Sequence, residues 1–526
     1  MVPRREFLKR GLGAVAGSAL TVGAGAAPSP RSRPNIVVIM ADDMGFSDLG
    51  CYGSEIHTPN LDRMAAEGLR FTHAYNAARC CPSRAALLTG LHPHQAGMGD
   101  MVTSPGRNVP PGPYQGYLNR NCATIAELLR PAGYRTYMSG KWHVGEAPEH
   151  WPRRRGFDRY YGIISGGSSY WKLDQEGPRP RVMAIDDDAH VPSGDTFYMT
   201  DAFTDNAVRF IEEHEGPNSP FFLYLAYTAP HWPIHAWPED IEKYRGVYDI
   251  GWDKLRVQRH ERMIELGIVD KKWPLSPRDP EVPAWDTVTD KEDRALRMAV
   301  YAAMIDRMDQ GIGRVLDALR KTGADKNTLV LFLSDNGGCH ESVEGRNLHT
   351  PGTRPGERGS FLAYQRPWAN ASNTPFRMFK HWTHEGGIAT PLIAWAPDLV
   401  RGRGTLTHQT AHIADVVPTC LDLARADYPA TFGGNPILPL AGRTIVPVLR
   451  GKQRDAHSPL YWEHEGSKAI RDGNWKLVSA AGKDWELYDL EADRTELNDL
   501  VTKEPKRAKA MLARWNAWAD AVGAKR

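Results

Sequence analysis

The chain has 526 residues, 41% hydrophobic and 24% charged, with 65 basic against 63 acidic side chains. These are globular proportions; they exclude a disordered tail or a fibre, and the length suits two to four domains or one large α/β domain with an annex. A formal net charge of +2 excludes a dedicated polyanion binder, so no nucleic-acid partner is expected, though a local cationic pocket for a small anion is allowed.

Residues 1–33 read as a leader and linker outside the fold. Pro3-Arg4-Arg5-Glu6-Phe7-Leu8-Lys9 resembles the twin-arginine export signature. A weakly apolar Gly/Ala-rich stretch, Gly11 to Gly25, follows, and Ala24-Gly25-Ala26 offers a small-residue cleavage site with the cut expected after Ala26. The stretch falls short of the ~20 apolar residues a membrane helix needs. The expectation is a periplasmic or secreted protein, carried already folded by the twin-arginine machinery and without stable membrane insertion. Six cysteines (51, 80, 81, 122, 339 and 420) are too few and too scattered for a disulfide framework.

From residue 34 to about 450 the chain alternates strand and helix patterns. Ile36-Val37-Val38-Ile39-Met40 is apolar without interruption, the mark of a parallel strand covered on both faces, and Asp42-Asp43 follows it. Ile125 to Leu129 is helical in pattern; Tyr134 to Met138 is a strand leading to Lys141-Trp142-His143. The helical stretch Thr204 to Glu213 precedes the strand Phe221 to Tyr227, which leads to Pro230-His231-Trp232. A long helix pattern, Leu296 to Leu319, precedes the strand Leu329 to Leu333, which ends at Ser334-Asp335-Asn336-Gly337-Gly338; a further strand, Pro391 to Trp395, comes after Lys380. Such alternation predicts an α/β domain with a large, mainly parallel central sheet flanked by helices. Ligands of such sheets bind beyond the carboxyl ends of the strands, and four strands here deliver an ionisable cluster at that end. Ser165–Ser193 and His340–Phe376 read as long loops that shape a binding site, with Tyr170, Trp171, Phe361, Tyr364 and Trp368 as candidate ring-stacking residues. His92 and His94 read as second-layer or substrate-lip residues. Residues 451–526 hold short strands, a turn at Asp472-Gly473-Asn474 and a helix over Pro505–Val522, predicting a smaller C-terminal antiparallel α+β domain.

Asp42, Asp43, Asp335 and Asn336 offer three carboxylates and an amide oxygen from two strand ends. These are hard oxygen donors that select Ca²⁺ or Mg²⁺, and no His or Cys accompanies them in the spacing zinc requires. His143 suits proton transfer because its unperturbed pKa lies near neutrality. Pro82 fits the first turn of a helix continued by Ala85-Ala86-Leu87-Leu88, which sets Cys80 near a helix N-terminus that favours an anion.

Cys80-Cys81-Pro82-Ser83-Arg84-Ala85-Ala86-Leu87-Leu88-Thr89-Gly90 resembles the signature of the formylglycine-dependent sulfatases of the alkaline phosphatase superfamily, Cys-x-Pro-Ser-Arg followed at fixed distance by Leu-Thr-Gly. The chain looks most like a bacterial arylsulfatase. Only Cys80 has Pro at +2 and Arg at +4, so Cys81 is the spacer. The resemblance implies that a formylglycine-generating enzyme or maturase oxidises Cys80 to formylglycine, whose hydrate is the nucleophile. It implies that Asp42, Asp43, Asp335, Asn336 and the modified Cys80 hold one divalent cation, usually Ca²⁺, with Mg²⁺ an alternative. It gives Arg84 and Lys141 the hydrate to hold, His143 its proton, His231 the leaving-group oxygen, and Lys380, ahead of Glu385-Gly386-Gly387, the sulfate. The implied activity is hydrolysis of sulfate monoesters, aryl or carbohydrate, through a covalent sulfo-enzyme intermediate. The alternatives are a phosphonate monoester or phosphodiester hydrolase of the same superfamily, a non-catalytic sulfated-glycan binder with an unmodified thiol, and a zinc phosphatase on the same scaffold, which the lack of Ser or Thr at the nucleophile position and of zinc-type His ligands disfavours.

Overall fold

The computed structural model describes residues 33–525, apart from 105, 176–178, 217–218, 456 and 458. Of the leader and linker expected over residues 1–33, residues 1–32 lie outside the described residues. The strands in chain order are β1 (Asn35–Ala41), β2 (Leu69–Tyr75), β3 (Arg135–Gly140), β4 (Arg159–Ile163), β5 (Met183–Ile185), β6 (Asp188–His190), β7 (Phe221–Ala226), β8 (Thr328–Ser334), β9 (Ala389–Trp395), β10 (Thr405–Thr407), β11 (Ala411–His412), β12 (Thr431–Phe432), β13 (Asn435–Pro436), β14 (Leu460–His464), β15 (Ser467–Asp472), β16 (Trp475–Ser479) and β17 (Glu486–Asp489). The helices are α1 (Pro59–Glu67), α2 (Cys80–Thr89), α3 (Ile125–Leu129), α4 (Met199–Glu212), α5 (Pro238–Glu242), α6 (Gly251–Glu265), α7 (Lys291–Lys321), α8 (Gln365–Ser372), α9 (Glu385–Ile388), α10 (Val416–Ala424), α11 (Val446–Leu449) and α12 (Pro505–Val522).

The central sheet runs β10-β2-β9-β8-β1-β7-β3-β4-β5-β6, with β11 also on β2. Its middle, β8-β1-β7-β3-β4, is parallel throughout. β9 runs antiparallel to both β8 and β2, and the β5–β6 hairpin adds an antiparallel edge. The uninterrupted apolar run of β1 has a direct physical reason. Val37 and Ile39 point into the core shared with α4 and α7, whereas Ile36, Val38 and Met40 point into the core shared with α2, α3 and α10. A strand with oil on both faces has no polar positions to alternate.

Residues 460–489 form a separate four-stranded antiparallel sheet, β14-β15-β16-β17. Gly473-Asn474 makes the β15–β16 turn, as the sequence predicts. On one face Ile470, Leu477 and Leu487 pack under α12 through Met511, Trp515 and Trp518. On the other, Leu460, Trp462, Ala469, Val478 and Tyr488 pack on Tyr75, Ala78 and Ile388 of the larger body.

The two long loops are more structured than their composition suggests. Residues 165–193 contain the β5–β6 hairpin, and residues 340–376 contain α8. The six cysteines are all free thiols and all buried. Among the described residues no helix is long and apolar enough to cross a membrane.

Candidate active site

Four parallel strands end at one level. Ala41 of β1 pairs with Ser334 of β8, and Ala226 of β7 faces both Met40 of β1 and Gly140 of β3. The next residue of each chain segment continues the ladder: Asp335 N–H donates to the Ala41 carbonyl (3.1 Å), Lys141 N–H to Ala226 (2.8 Å) and Asp42 N–H to Ala229 (3.0 Å). The sheet thus delivers Asp42, Asp335 and Lys141 to one spot as a consequence of register. Gly140 is required there: its φ is +119°, and a Cβ would lie 1.9 Å from the Ala226 carbonyl oxygen.

The side chains form a buried cluster of charges. Lys141 Nζ lies 2.5 Å from Asp42 Oδ2, and Arg84 bridges Asp335 Oδ2 (2.9 Å) and Asp42 Oδ2 (3.5 Å). Arg84 also donates to the Lys141 carbonyl (3.1 Å), so the guanidinium of α2 is fastened to two strand ends. Asn336 Nδ2 donates to Asp43 Oδ1 (2.7 Å), and Lys380 Nζ meets Asp43 Oδ1 and Oδ2 at 2.7 and 2.8 Å. His231 Nε2 stands 3.5 Å from Asp43 Oδ2. Asp43 and His143 are both held in the left-handed backbone region, at φ of 68° and 55°, where strain is tolerated only if the surroundings impose it.

Cys80 opens α2 and is buried. The Cys80 and Cys81 thiols and a ring nitrogen of His143 lie within 4.8 Å of one another. The two thiols differ in character. Hydrogen bonding from Cys81 pulls the Cys80 thiol well below its ordinary pKa; burial opposes this, while Lys141, His143 and Lys380 add to it. Burial pushes the Cys81 thiol well up. Burial, with Lys141 beside it, drives His143 down to about 3, and burial also lowers His231. Burial would raise Asp42, but Lys141, His231 and Arg84 outweigh it and hold the carboxyl below the usual range. Asp335 is pushed well up, by burial first and by the charge of Asp42 second.

The donor set fits a hard dication. Asp42 Oδ1 and Asn336 Oδ1 are buried oxygens without a hydrogen-bond partner among the described residues. Orphaned acceptors beside a carboxylate that is forced toward its neutral form are the signature of a cluster short of positive charge.

All the residues picked out from the motifs therefore stand in one constellation: Asp42, Asp43, Cys80, Arg84, Lys141, His143, His231, Asp335, Asn336 and Lys380. Other expectations need correction. Tyr170, Trp171, Phe361, Tyr364 and Trp368 are buried and offer no stacking platform. Trp368 packs among Tyr248, Trp252 and Trp285, and Tyr364 stacks on Tyr301 at 4.1 Å. They are core residues because their loops fold back on the body. Tyr170 acts on the site from within: its hydroxyl donates to the carbonyls of Thr228 (2.7 Å) and His231 (3.0 Å). His92 and His94 are not lip residues either. His94 Nε2 meets Glu463 Oε2 of β14 at 2.8 Å, and His92 packs edge-on against Tyr461 and Trp518. Both belong to the seam with the C-terminal sheet, as the apolar Tyr461 and Trp518 beside them require. Glu341 escaped the sequence reading; it pairs with Arg79 (2.9 Å) and accepts from Trp232 Nε1 (2.9 Å) at the rim. Its one signal was a place just past Asp335-Asn336-Gly337-Gly338.

A mainly parallel sheet with a buried acidic and basic cluster beyond its carboxyl ends, fed by a thiol on a helix tip, defines an enzyme of the alkaline-phosphatase-like superfamily. The comparisons narrow this. The Sulfatase family model matches residues 34–426, and a model described as N-sulphoglucosamine sulphohydrolase, C-terminal, matches residues 376–515. An uncharacterized sulfatase of Schizosaccharomyces pombe is 35% identical over 93% of this chain and 94% of its own length. The arylsulfatase of Klebsiella aerogenes is 35% identical over 83% of this chain and 96% of its own. Among solved structures, Ps i-CgsB in complex with k-i-k-neocarrahexaose superposes with a TM-score of 0.69 at 28% identity, covering 93% of both chains. The chain belongs to the sulfatase family.

Proposed function

We propose that this sulfate ester hydrolase is of the arylsulfatase type, that Cys80 is converted to formylglycine, and that Asp42, Asp43, Asp335 and Asn336 hold Ca²⁺ against it. The observation that carries the reading is the position of Cys80: a thiol made acidic by its surroundings, at the tip of α2, facing His143 and within the field of Lys141 and Lys380. The ion would supply Lewis-acid neutralisation of charge on the sulfuryl oxygens. A formylglycine at residue 80 would supply a geminal diol, one hydroxyl to act as nucleophile and a second able to give up a proton.

The chain's own residues do the rest. Lys141, Lys380 and Arg84 present fixed positive charge in a site shielded from water, where preorganised donors act most strongly on a growing anion. His143, neutral down to about pH 3, is free to take a proton from residue 80. His231 donates from Nδ1 to the Trp232 carbonyl (2.5 Å), which leaves Nε2 as the nitrogen that serves the leaving-group oxygen. Tyr170 fixes that histidine through its carbonyl. The twin-arginine-like residues Arg4 and Arg5 support export to the periplasm or beyond, and maturation of Cys80 by a formylglycine-generating enzyme would precede it. A carbohydrate sulfate is the second reading, favoured by the likeness to a protein whose structure was solved with a neocarrahexaose.

The test is mass spectrometry of the peptide carrying residue 80, with sulfur expected to be replaced by a carbonyl oxygen. Beside it, sulfate release is measured across aryl, alkyl and carbohydrate sulfates. Cys80→Ser should fold and bind Ca²⁺ yet lose turnover by about 10³-fold or more. Release at the wild-type rate by that variant would refute the mechanism.

A further inference from the structure

Outside the constellation of residue 80, three metal-ligating side chains converge where the main body meets the C-terminal sheet. His381 follows Lys380; His464 ends β14; Glu465 begins the turn into β15. One donor atom from each lies within 4.8 Å of the others. His381 Nδ1 is 2.7 Å from Glu465 Oε2, and His464 Nε2 is 3.7 Å from Glu465 Oε1.

His464 carries the inference. Its side chain is fully buried, and Nδ1 faces the Gly99 carbonyl at 3.3 Å. A carbonyl only accepts, so the proton sits on Nδ1 and Nε2 presents a bare lone pair. That lone pair has no hydrogen-bond partner among the described residues and points at a carboxylate oxygen. Two electron pairs facing each other, one of them on a buried imidazole, repel unless a cation lies between them. A backbone carbonyl orienting the far nitrogen of a histidine is also how metal-ligating imidazoles are commonly held. Burial keeps His464 neutral, with its pKa down at about 4, which is the ligating form. His381 (φ 91°) and Glu465 (φ 46°) are both held in the left-handed region, as residues locked at ligand clamps often are. Arg79, whose charge also reaches His464 and Glu465, is paired with Glu341 at 2.9 Å.

We infer that His381, His464 and Glu465 form a second metal site, selective for Zn²⁺ or a similar first-row ion, with its remaining coordination open to solvent. Two imidazoles and one carboxylate are a borderline nitrogen-rich set that a hard ion such as Ca²⁺ does not favour. Zinc–nitrogen bonds of about 2.0–2.1 Å put tetrahedral ligands roughly 3.3 Å apart, which small side-chain rotations reach from the present spread. His381 and Glu465 are partly exposed, at 21% and 38%, and give the ion its way in. The ion would tie the segment bearing Lys380 to the C-terminal hairpin. The inference does not depend on the chemistry proposed for Cys80.

The experiment is a titration of the mature, Ca²⁺-saturated protein with Co²⁺, followed by visible absorption, with Zn²⁺ as competitor. Wild type should bind one equivalent with a low-symmetry Co²⁺ spectrum free of thiolate charge transfer, and Zn²⁺ should displace it. His464→Ala and His381→Ala should weaken binding by at least about 100-fold, whereas Cys80→Ser should bind as wild type does. Should His464→Ala fail to fold by circular dichroism, Glu465→Gln on the turn carries the same expectation. Failure of wild type to take up the ion, equal binding by the folded histidine variants, or loss of binding in Cys80→Ser would each overturn the site.

Discussion

Cys80 and Cys81 are chemically identical neighbours that the fold makes unlike. Both are buried, but hydrogen bonding from Cys81, with Lys141, His143 and Lys380 adding to it, draws the Cys80 thiol toward the anion, whereas burial pushes the Cys81 thiol up. The signature alone points to Cys80 by register; the neighbouring thiol and the surrounding charges set it apart from Cys81. Arg84 shows how narrowly those charges are placed. It is fully buried, spans Asp42 and Asp335, and donates to the Lys141 carbonyl. A lysine has a single ammonium and cannot make that fork. Arg84→Lys should therefore keep the net charge but lower kcat/KM for an aryl sulfate by about 10²-fold or more, the scale of one preorganised electrostatic donor. Steady-state kinetics beside a thermal unfolding curve checks this, and an unaffected kcat/KM would remove Arg84 from the machinery.

At the level of elements, motif segments far apart in sequence turn out to be partners. Glu385, at the start of α9, meets Lys476 of β16 at 2.9 Å and Arg494 at 3.1 Å, and Lys476 also meets Glu496 at 2.7 Å. All four side chains are fully buried, and Tyr75 of β2 donates to Glu385 as well (3.0 Å). The Glu-Gly-Gly turn and the Trp-Lys-Leu strand thus form an ionic lock that seats the C-terminal sheet beneath the segment presenting Lys380. Burying such ions is costly, so the lock contributes little net stability while both signs are present. Removing one partner is another matter. Lys476→Met should destabilise the protein by about 3–5 kcal/mol, because Glu385 and Glu496 lose their shared cation inside the protein. Chemical denaturation measures it; a change below about 1 kcal/mol would show that water enters the seam.

For the whole molecule, titration of buried histidines contributes to acid sensitivity. His73, His143 and His235 are buried, and burial lowers all three: His143 to about 3, His235 to about 4, and His73 well below its usual value, with Arg494 and Arg471 adding to the effect. Their folded pKa values lie below the unfolded value near 6.5, so the unfolded chain binds more protons beneath that pH. Their contribution is complete above about pH 6.5 and is lost progressively as pH falls through the folded values, about 4 for His235 and about 3 for His143. At most, three protons cost about 4 kcal/mol per pH unit. A stability curve over pH 4–7 should slope steeply downward on the acid side, and a flat one would contradict these burials. Much of the architecture was legible beforehand: uninterrupted apolar runs marked the covered strands, and clusters at their ends marked the site. The antiparallel turn of β9, the strands β4 to β6 and the helix α8 were not, since short or polar segments take their structure from neighbours rather than from their own pattern. The same holds for Tyr170 and Trp368, which looked like loop aromatics and are core. Side-chain chemistry and local spacing, which travel with the sequence, determined the family and pointed to the thiol and the candidate oxygen donors. Only the tertiary structure decided which charges face one another: sheet register and packing set the distances, and Coulomb and desolvation energies depend on distance and burial, not on order along the chain.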